Sequence, residues 1–100
     1  MLSSTRLLII LFCALLAVFV VSFPSGKAVF EREQCLGCHR FKDRGGMLGP
    51  DLTEVSKRHS TFWIASQIRD PKRHNANSRM PGYPHLSFLE RYAIAQHLSF

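Results

Sequence analysis

An all-α fold is the fold class that the sequence predicts for the last three quarters of this 100-residue chain. Residues recur at the spacing of one helix face, as Thr61, Ile64, Ala65 and Ile68 do at i, i+3, i+4 and i+7. No segment shows the alternation of a half-buried strand. A domain of about 75 residues buries little apolar surface and needs a staple such as a disulfide, a metal or a cofactor. The sequence therefore predicts a small helical domain built around a staple.

The first 23 residues differ in character from the rest. Residues 7–21 are consecutive apolar residues, preceded by the cation Arg6, which is the layout of a secretory signal. Pro24 and Gly26 then break the helix. We divide the chain into residues 1–23, a signal peptide or an uncleaved N-terminal membrane anchor, and residues 24–100, the folded domain. Both alternatives place the domain in the periplasm or on the outer face of the cytoplasmic membrane.

Helix signals divide the first half of the domain into two helical segments and a loop. A first helix is predicted over residues 27–36, with Ser25 as its N-cap. Glycines and a proline within residues 45–50 predict a loop. A short helix is predicted over residues 52–58.

The second half of the domain is predicted as two helices joined by an irregular segment. One helix begins just after Ser60 and ends before Pro71, because a proline pushes the preceding residue out of helical conformation. Residues 71–86 are polar and proline-rich, which predicts an extended loop. The last helix begins at Ser87, which forms a capping box with Glu90. This helix is apolar over a wide arc, so we expect it to pack on more than one side.

The segment Cys35-Leu36-Gly37-Cys38-His39 is the attachment signature of a c-type haem. Each thiol adds across one haem vinyl group, so the two cysteines must lie about one helical turn apart. The next residue then projects its imidazole toward the iron. We expect one covalent haem c, attached through Cys35 and Cys38 with His39 as proximal ligand. Such attachment takes place outside the cytoplasm, in agreement with the export signal.

Two other chemistries also use closely spaced cysteines. A zinc site needs four ligands, and the available His59 and His74 are isolated in the sequence. A redox-active dithiol of the thioredoxin kind would follow a strand in a βαβ setting, and no strand is predicted before Cys35. Both alternatives fit the sequence less well than haem attachment does.

The chain is basic, with a formal net charge of +6. Without residues 1–22, 12 Lys and Arg remain against 7 Asp and Glu, a net charge of +5. Such a surface is ordinary for a solvated protein, and it also steers encounters with acidic partners or anionic membranes. Nucleic acid is not an expected partner, because no basic stripe with interleaved aromatic residues is present. The expected partners are redox proteins with acidic docking surfaces, and a membrane through residues 7–21 if these are uncleaved.

From residue 26 to residue 98 the chain resembles a class I cytochrome c of the small bacterial monohaem kind. The matching segments follow one another in the family's order: Gly26-Lys27-x-x-Phe30, Cys35-x-x-Cys38-His39, Gly49-Pro50-Asp51-Leu52-Thr53, Trp63 with Ile68-x-Asp70-Pro71, Ser78-Arg79-Met80-Pro81, and a closing helix ending at Leu98. The attachment motif is the most specific of these segments. The resemblance covers nearly all of the domain and implies a helical fold wrapped around one haem.

The resemblance implies a role for each matched site residue. His39 is the proximal iron ligand, and Met80 is the distal ligand on the opposite haem face. The Pro50 carbonyl accepts a hydrogen bond from the other imidazole nitrogen of His39 and fixes the ring's orientation. His74 or His85 is the alternative distal ligand, and either would give a bis-histidine site of lower reduction potential.

Other residues receive structural roles. Trp63 and Tyr83 are expected to pack against the haem or its rim, and Met47 to pack in the glycine-rich loop. Phe30 is expected to pack between the first and last helices. His97 stands near the end of the last helix, where the family commonly has an aromatic residue, so we expect a more polar contact there.

The expected function is single-electron transfer in an extracytoplasmic respiratory or photosynthetic-type chain. Two filled axial positions leave no site for a substrate, so an enzyme is not expected. One alternative is a haem-based small-molecule-binding or peroxidase-like protein in which Met80 dissociates. Another alternative is an anchored haem subunit of a larger respiratory complex.

Overall fold

The computed structural model describes residues 3–100. Its first helix, α1, runs from Ser4 to Ser22 and is capped by Ser3, whose hydroxyl accepts the Arg6 N–H at 3.3 Å. Helix α1 contains residues 7–21, and its large apolar side chains from Leu7 to Val20 are exposed. It ends just before Pro24. Within residues 3–100, no helix combines the length and the apolar character needed to cross a membrane.

Helix α2, Gly26–Arg32, is shorter than the predicted segment 27–36. The predicted cap is confirmed, because the Ser25 hydroxyl accepts the Ala28 N–H at 3.3 Å. The helix stops early because Gln34 adopts the left-handed conformation, with φ 57°, which an α-helix cannot continue through. A separate 3₁₀ helix, Cys35–Gly37, follows.

A two-stranded antiparallel hairpin, which the sequence did not predict, follows the cysteine motif. Strand β1 is Arg40–Phe41 and strand β2 is Arg44–Gly45. Lys42 and Asp43 both have positive φ, 50° and 65°, as a two-residue hairpin turn requires. Two-residue strands are too short to show alternation in a sequence, which is why the pattern gave no signal.

The predicted helix over residues 52–58 is a single 3₁₀ turn, Val55–Lys57. Asp51 caps a loop turn instead of a helix, since its carboxylate accepts the Thr53 N–H at 2.8 Å. Helix α3, Thr61–Arg69, begins where predicted, with the Ser60 hydroxyl accepting the Trp63 N–H at 3.1 Å. A short 3₁₀ helix, Pro71–Arg73, follows, and most of residues 74–86 is irregular as expected.

Helix α4, Phe88–His97, has the predicted capping box. The Ser87 hydroxyl accepts the Glu90 N–H at 3.1 Å, and the Glu90 carboxylate accepts the Ser87 N–H at 3.0 Å. Glu90 also pairs with Arg32 of α2 at 2.9 Å. Its pKa lies below the ordinary value, first through the Arg32 hydrogen bond and then through the Ser87 N–H.

Helix α4 packs against both α2 and α3, as its wide apolar arc predicted. Gly26 permits the close crossing of α2 and α4, because a Cβ there would lie 1.9 Å from the Ala93 carbonyl oxygen. The core residues come from α2, α3 and α4 and from the segments that join or follow them: Val29, Phe30, Phe41, Val55, Ile64, Ile68, Leu86, Ile94, Ala95 and Leu98. The predicted all-α fold class is confirmed, and the hairpin is a small addition to it.

Candidate functional site

The cysteine motif forms a tight loop directly after α2. The His39 N–H donates to the Cys35 carbonyl at 3.0 Å, and the Cys38 N–H donates to the same oxygen at 3.3 Å. Both thiols are free; Cys35 is half-buried and Cys38 is exposed. Burial, followed by the nearby Glu33 carboxylate, raises the pKa of the Cys35 thiol to about 11. Cys35 therefore presents a neutral thiol at physiological pH.

The His39 ring is held by a single backbone acceptor. Its Nδ1 lies 2.8 Å from the Pro50 carbonyl oxygen. A carbonyl can only accept, so Nδ1 carries a proton, and in the neutral ring Nε2 then keeps its lone pair. Gly49 makes room for this ring, since a Cβ at that position would lie 2.6 Å from His39 Cε1. The imidazole is therefore oriented as a ligand that offers Nε2.

Met80 lies on a loop that is fastened to α3. The Tyr83 N–H donates to the Ile68 carbonyl at 2.9 Å, and a Cβ on Gly82 would lie 2.7 Å from the Arg69 carbonyl oxygen. Met80 is half-buried and packs against the core. An open cavity of about 530 Å³ lies along this loop and includes Met80, Lys72 and Arg79 in its lining.

A set of half-buried apolar side chains packs against the core: Cys35, Leu36, Leu52, Trp63, Met80 and Tyr83. They come from the motif, the segment after Pro50, helix α3 and the Met80 loop. Burial, followed by the thiols of Cys35 and Cys38, raises the pKa of the Tyr83 phenol. Apolar surface left half-exposed in a small domain fits a large apolar group that would cover it. With two free thiols, an oriented imidazole and a thioether, the donor set fits a covalently held haem.

The alternative distal ligands are engaged elsewhere. His85 Nε2 lies 3.2 Å from a Glu33 carboxylate oxygen. His74 Nδ1 lies 2.7 Å from Gln67 Oε1, and its Nε2 lies 3.3 Å from Ser66 Oγ. The expected packing role of Met47 is wrong, because its side chain is 85% exposed.

The zinc alternative requires a cluster of metal-ligating side chains. No group of three or more His, Cys, Asp or Glu side chains able to hold a metal ion occurs within residues 3–100. The dithiol alternative has no strand before the motif, because helix α2 precedes Cys35.

The family model for cytochrome c matches residues 24–99. The chain belongs to the cytochrome c family. This match confirms the resemblance that the motifs indicated. A cytochrome c domain carries covalently bound haem c and functions in haem-based electron transfer. The cytochrome c match begins at residue 24, just after α1, and includes α2, α3 and α4.

One relative of this cytochrome c is the cytochrome c oxidase subunit 2 of Alkalihalophilus pseudofirmus. The two sequences are 30% identical over 81 residues, which cover 73% of this chain and 24% of the relative. The chain therefore spans about a quarter of the length of that protein.

Sequence reasoning missed the surroundings of Met80. Gln67 Nε2 lies 3.8 Å from Met80 Sδ, and Trp63 is stacked between His59 and His74 with ring centroids 3.5 and 4.4 Å away. The spacing of Trp63 and Gln67, four residues apart on α3, places both on one helix face. Their partners lie on other segments, so the sequence alone did not indicate these contacts.

Proposed function

We propose that the chain is a single-electron carrier with one haem c, attached through Cys35 and Cys38 and ligated by His39 and Met80. The supporting observation is the 2.8 Å contact between His39 Nδ1 and the Pro50 carbonyl oxygen. That contact fixes the tautomer and orientation that a proximal ligand needs. We place the carrier in an extracytoplasmic respiratory or photosynthetic-type chain, and we do not assign it an enzymatic reaction.

The haem, when bound, supplies an iron that exchanges one electron between its ferrous and ferric forms. The chain's own residues determine how easily that exchange occurs. A thioether such as Met80 favours a higher reduction potential than a second imidazole would. The half-buried apolar side chains described above, among them Trp63 and Tyr83, would exclude water from the haem and so lower the local dielectric constant. With both axial positions filled, no site remains for a substrate.

Met80→Ala tests the distal ligand. Oxidised wild-type holoprotein should have the far-red sulfur-to-iron absorption band, and the variant should lack it. The variant should also have a lower reduction potential and bind carbon monoxide rapidly when reduced. Met47→Ala is the matched control, because Met47 is 85% exposed and should leave the band unchanged. A high-spin wild-type spectrum, or rapid carbon monoxide binding by the wild type at neutral pH, would instead favour the small-molecule-binding or peroxidase-like alternative.

Cysteine substitutions test the attachment. Cys35→Ala or Cys38→Ala should weaken haem retention, and the double variant should yield an unfolded apoprotein, because the remaining core is small. Cys13→Ala, in α1, is the control and should retain haem fully. Retention of haem by the denatured protein, measured by intact mass, reports the covalent bonds. A well-folded, haem-free double variant would contradict the proposal.

We propose that redox partners with an acidic face dock beside the Met80 loop. Lys72 and Arg79 line the cavity next to Met80, and both are exposed. Charges at a docking face change the association rate and its salt dependence. Lys72→Glu with Arg79→Glu should therefore slow electron exchange with an acidic redox protein at low salt. Lys57→Glu with Arg58→Glu, an equal charge change on the 3₁₀ turn before α3, should slow it less.

We propose that residues 7–21 direct export, so that the domain functions in the periplasm or on the outer face of the cytoplasmic membrane. The fifteen-residue apolar run after Arg6 and the chemistry of haem attachment both support this. Intact mass of the protein purified from its native envelope tests it. A mass that includes one haem is expected in either case: loss of about the first 22 residues indicates a cleaved signal peptide, and their retention indicates an anchor. Recovery from the cytoplasm would contradict export.

The relatedness to a cytochrome c oxidase subunit 2 favours a second candidate function. In this alternative the domain delivers electrons as a haem module of a larger respiratory complex. The supporting observation is the 30% identity over 73% of this chain. Purification from membranes without crosslinking distinguishes the candidates: a stable oxidase-containing assembly favours the module, and a haem protein free of other subunits favours the mobile carrier.

A further inference from the structure

His74 is exposed, yet its side chain is fixed at three points. Nδ1 lies 2.7 Å from Gln67 Oε1, and Nε2 lies 3.3 Å from Ser66 Oγ. The imidazole also stacks on Trp63, with ring centroids 4.4 Å apart and planes inclined by 12°. An exposed side chain loses considerable rotamer freedom when it is fixed in this way, so these contacts must offset that cost.

Gln67, the partner of His74, also contacts Met80. The amide Nε2 of Gln67 lies 3.8 Å from Met80 Sδ, in a part-buried position. This contact is within the range of a hydrogen bond to sulfur. A flipped amide would place Oε1 against the sulfur instead, and neither atom could donate. The contact to Met80 therefore depends on the orientation of the Gln67 amide.

His74 holds the amide in that orientation when its Nδ1 carries the proton. Because Gln67 Oε1 can only accept, the 2.7 Å contact requires a proton on His74 Nδ1. In the neutral ring Nε2 is then an acceptor, and the Ser66 hydroxyl donates to it. The donors run in one direction, from Ser66 through His74 and Gln67 to Met80. Hydrogen bonds arranged in such a chain polarise and strengthen one another.

We propose that His74 is a positioning residue that acts through Gln67 to raise the reduction potential of the iron. The proposal rests on the function proposed above, in which Met80 is the distal ligand. An N–H donated to the thioether withdraws electron density from the sulfur. A less electron-rich sulfur stabilises ferric iron less than ferrous iron, so the bond favours the reduced protein. Hydrogen bonding around a ligand is an established means of tuning a haem.

The test is the reduction potential of haem-loaded His74→Phe. This variant keeps an aromatic ring to stack on Trp63 but cannot donate to Gln67. At the wild-type midpoint potential, its ratio of reduced to oxidised protein should fall about threefold, which is about 30 mV at 59 mV per tenfold change. His59→Phe is the matched control, because His59 also stacks on Trp63, with ring centroids 3.5 Å apart, but is not part of the chain ending at Met80. Its potential should equal that of the wild type.

A second variant tests whether the effect of His74 passes through Gln67. Gln67→Leu removes the donor and should lower the potential at least as much as His74→Phe does. In the Gln67→Leu background, His74→Phe should cause no further change, because its effect passes through Gln67. A further fall in the double variant would overturn the proposal, and so would a potential for His74→Phe equal to that of His59→Phe.

The far-red sulfur-to-iron band separates failure of this inference from failure of the proposed function. The band should persist in all of these variants, since Met80 is unchanged. If the wild type has the band and His74→Phe leaves the potential unaltered, only the role of His74 is refuted. If the wild type lacks the band, Met80 is not the ligand, and both proposals fall together.

Discussion

The His39 ring is bonded through Nδ1 to the Pro50 carbonyl oxygen at 2.8 Å, and the residue that makes this geometry accessible is the neighbouring Gly49. Because the acceptor belongs to the backbone, a substitution of the Pro50 side chain does not remove it. A Cβ on Gly49 would lie 2.6 Å from His39 Cε1 and 2.8 Å from Nδ1. The orientation of His39 is therefore sensitive to the side chain at position 49.

Gly49→Ala should displace the His39 ring and destabilise the haem-loaded protein. Inserting one methyl group into a close-packed contact costs about 1–3 kcal/mol. The measurement is the free energy of unfolding in denaturant, with the absorption spectrum recorded to follow the axial ligands. Gly37→Ala is the matched control, because a Cβ at Gly37 has no protein heavy atom within 4 Å. Equal stabilities for the two variants would contradict the crowding at His39.

The starts of α3 and α4 were predictable because the residues that determine them lie close together in the sequence. Ser60 and Ser87 each accept an N–H three residues ahead in the same helix, so short-range pattern was sufficient to place both helix starts. The predicted end of α2 was wrong. The helix stops because Gln34 is left-handed, and no residue type in that segment requires this conformation. The surroundings of Met80 depend on how α3 meets a distant loop, and a single sequence carries no information on that contact.

Ser87→Ala should destabilise the domain by about 1 kcal/mol, the usual cost of an N-cap. The Ser87 hydroxyl accepts the Glu90 N–H, and Glu90 links α4 to Arg32 of α2. Loss of the cap therefore weakens the first turn of a helix that packs on two others. Unfolding in denaturant measures the loss, with exposed Ser56→Ala as the control. A cost no greater than that of Ser56→Ala would show that the capping box adds nothing measurable.

Arg91→Met should destabilise the contact between α3 and α4. The Arg91 side chain is buried, and it donates to the Ala65 carbonyl at 3.0 Å and to the Leu86 carbonyl at 3.4 Å. Burial, followed by the nearby Arg69, lowers its pKa. Methionine retains much of the apolar volume but neither donor, so the expected loss is about 1–3 kcal/mol. Exposed Arg73→Met is the control for removal of one positive charge, and thermal unfolding at matched ionic strength compares the two.

His97 fills an aromatic position, although the sequence predicted a more polar contact there. Its ring centroid lies 5.4 Å from those of both Phe30 and Phe41, and Phe30 lies 5.9 Å from Phe41. Burial lowers the pKa of His97 below its ordinary 6.5, Lys42 and Lys27 lower it further, and Glu31 opposes them. Folding therefore favours the neutral imidazole over the charged one.

The pH dependence of stability follows from this shift in the pKa of His97. Below about pH 6.5 the unfolded chain binds a proton at His97 more readily than the folded protein does, so stability falls as the pH falls. Above that range both states are neutral at His97, and the contribution is constant. His97→Phe should abolish this part of the dependence while keeping the aromatic cluster. The stability difference, variant minus wild type, should be flat above about pH 7.5 and grow as the pH drops through 6.5. A flat difference for His97→Phe would mean that His97 is as easily protonated in the fold as in the unfolded chain.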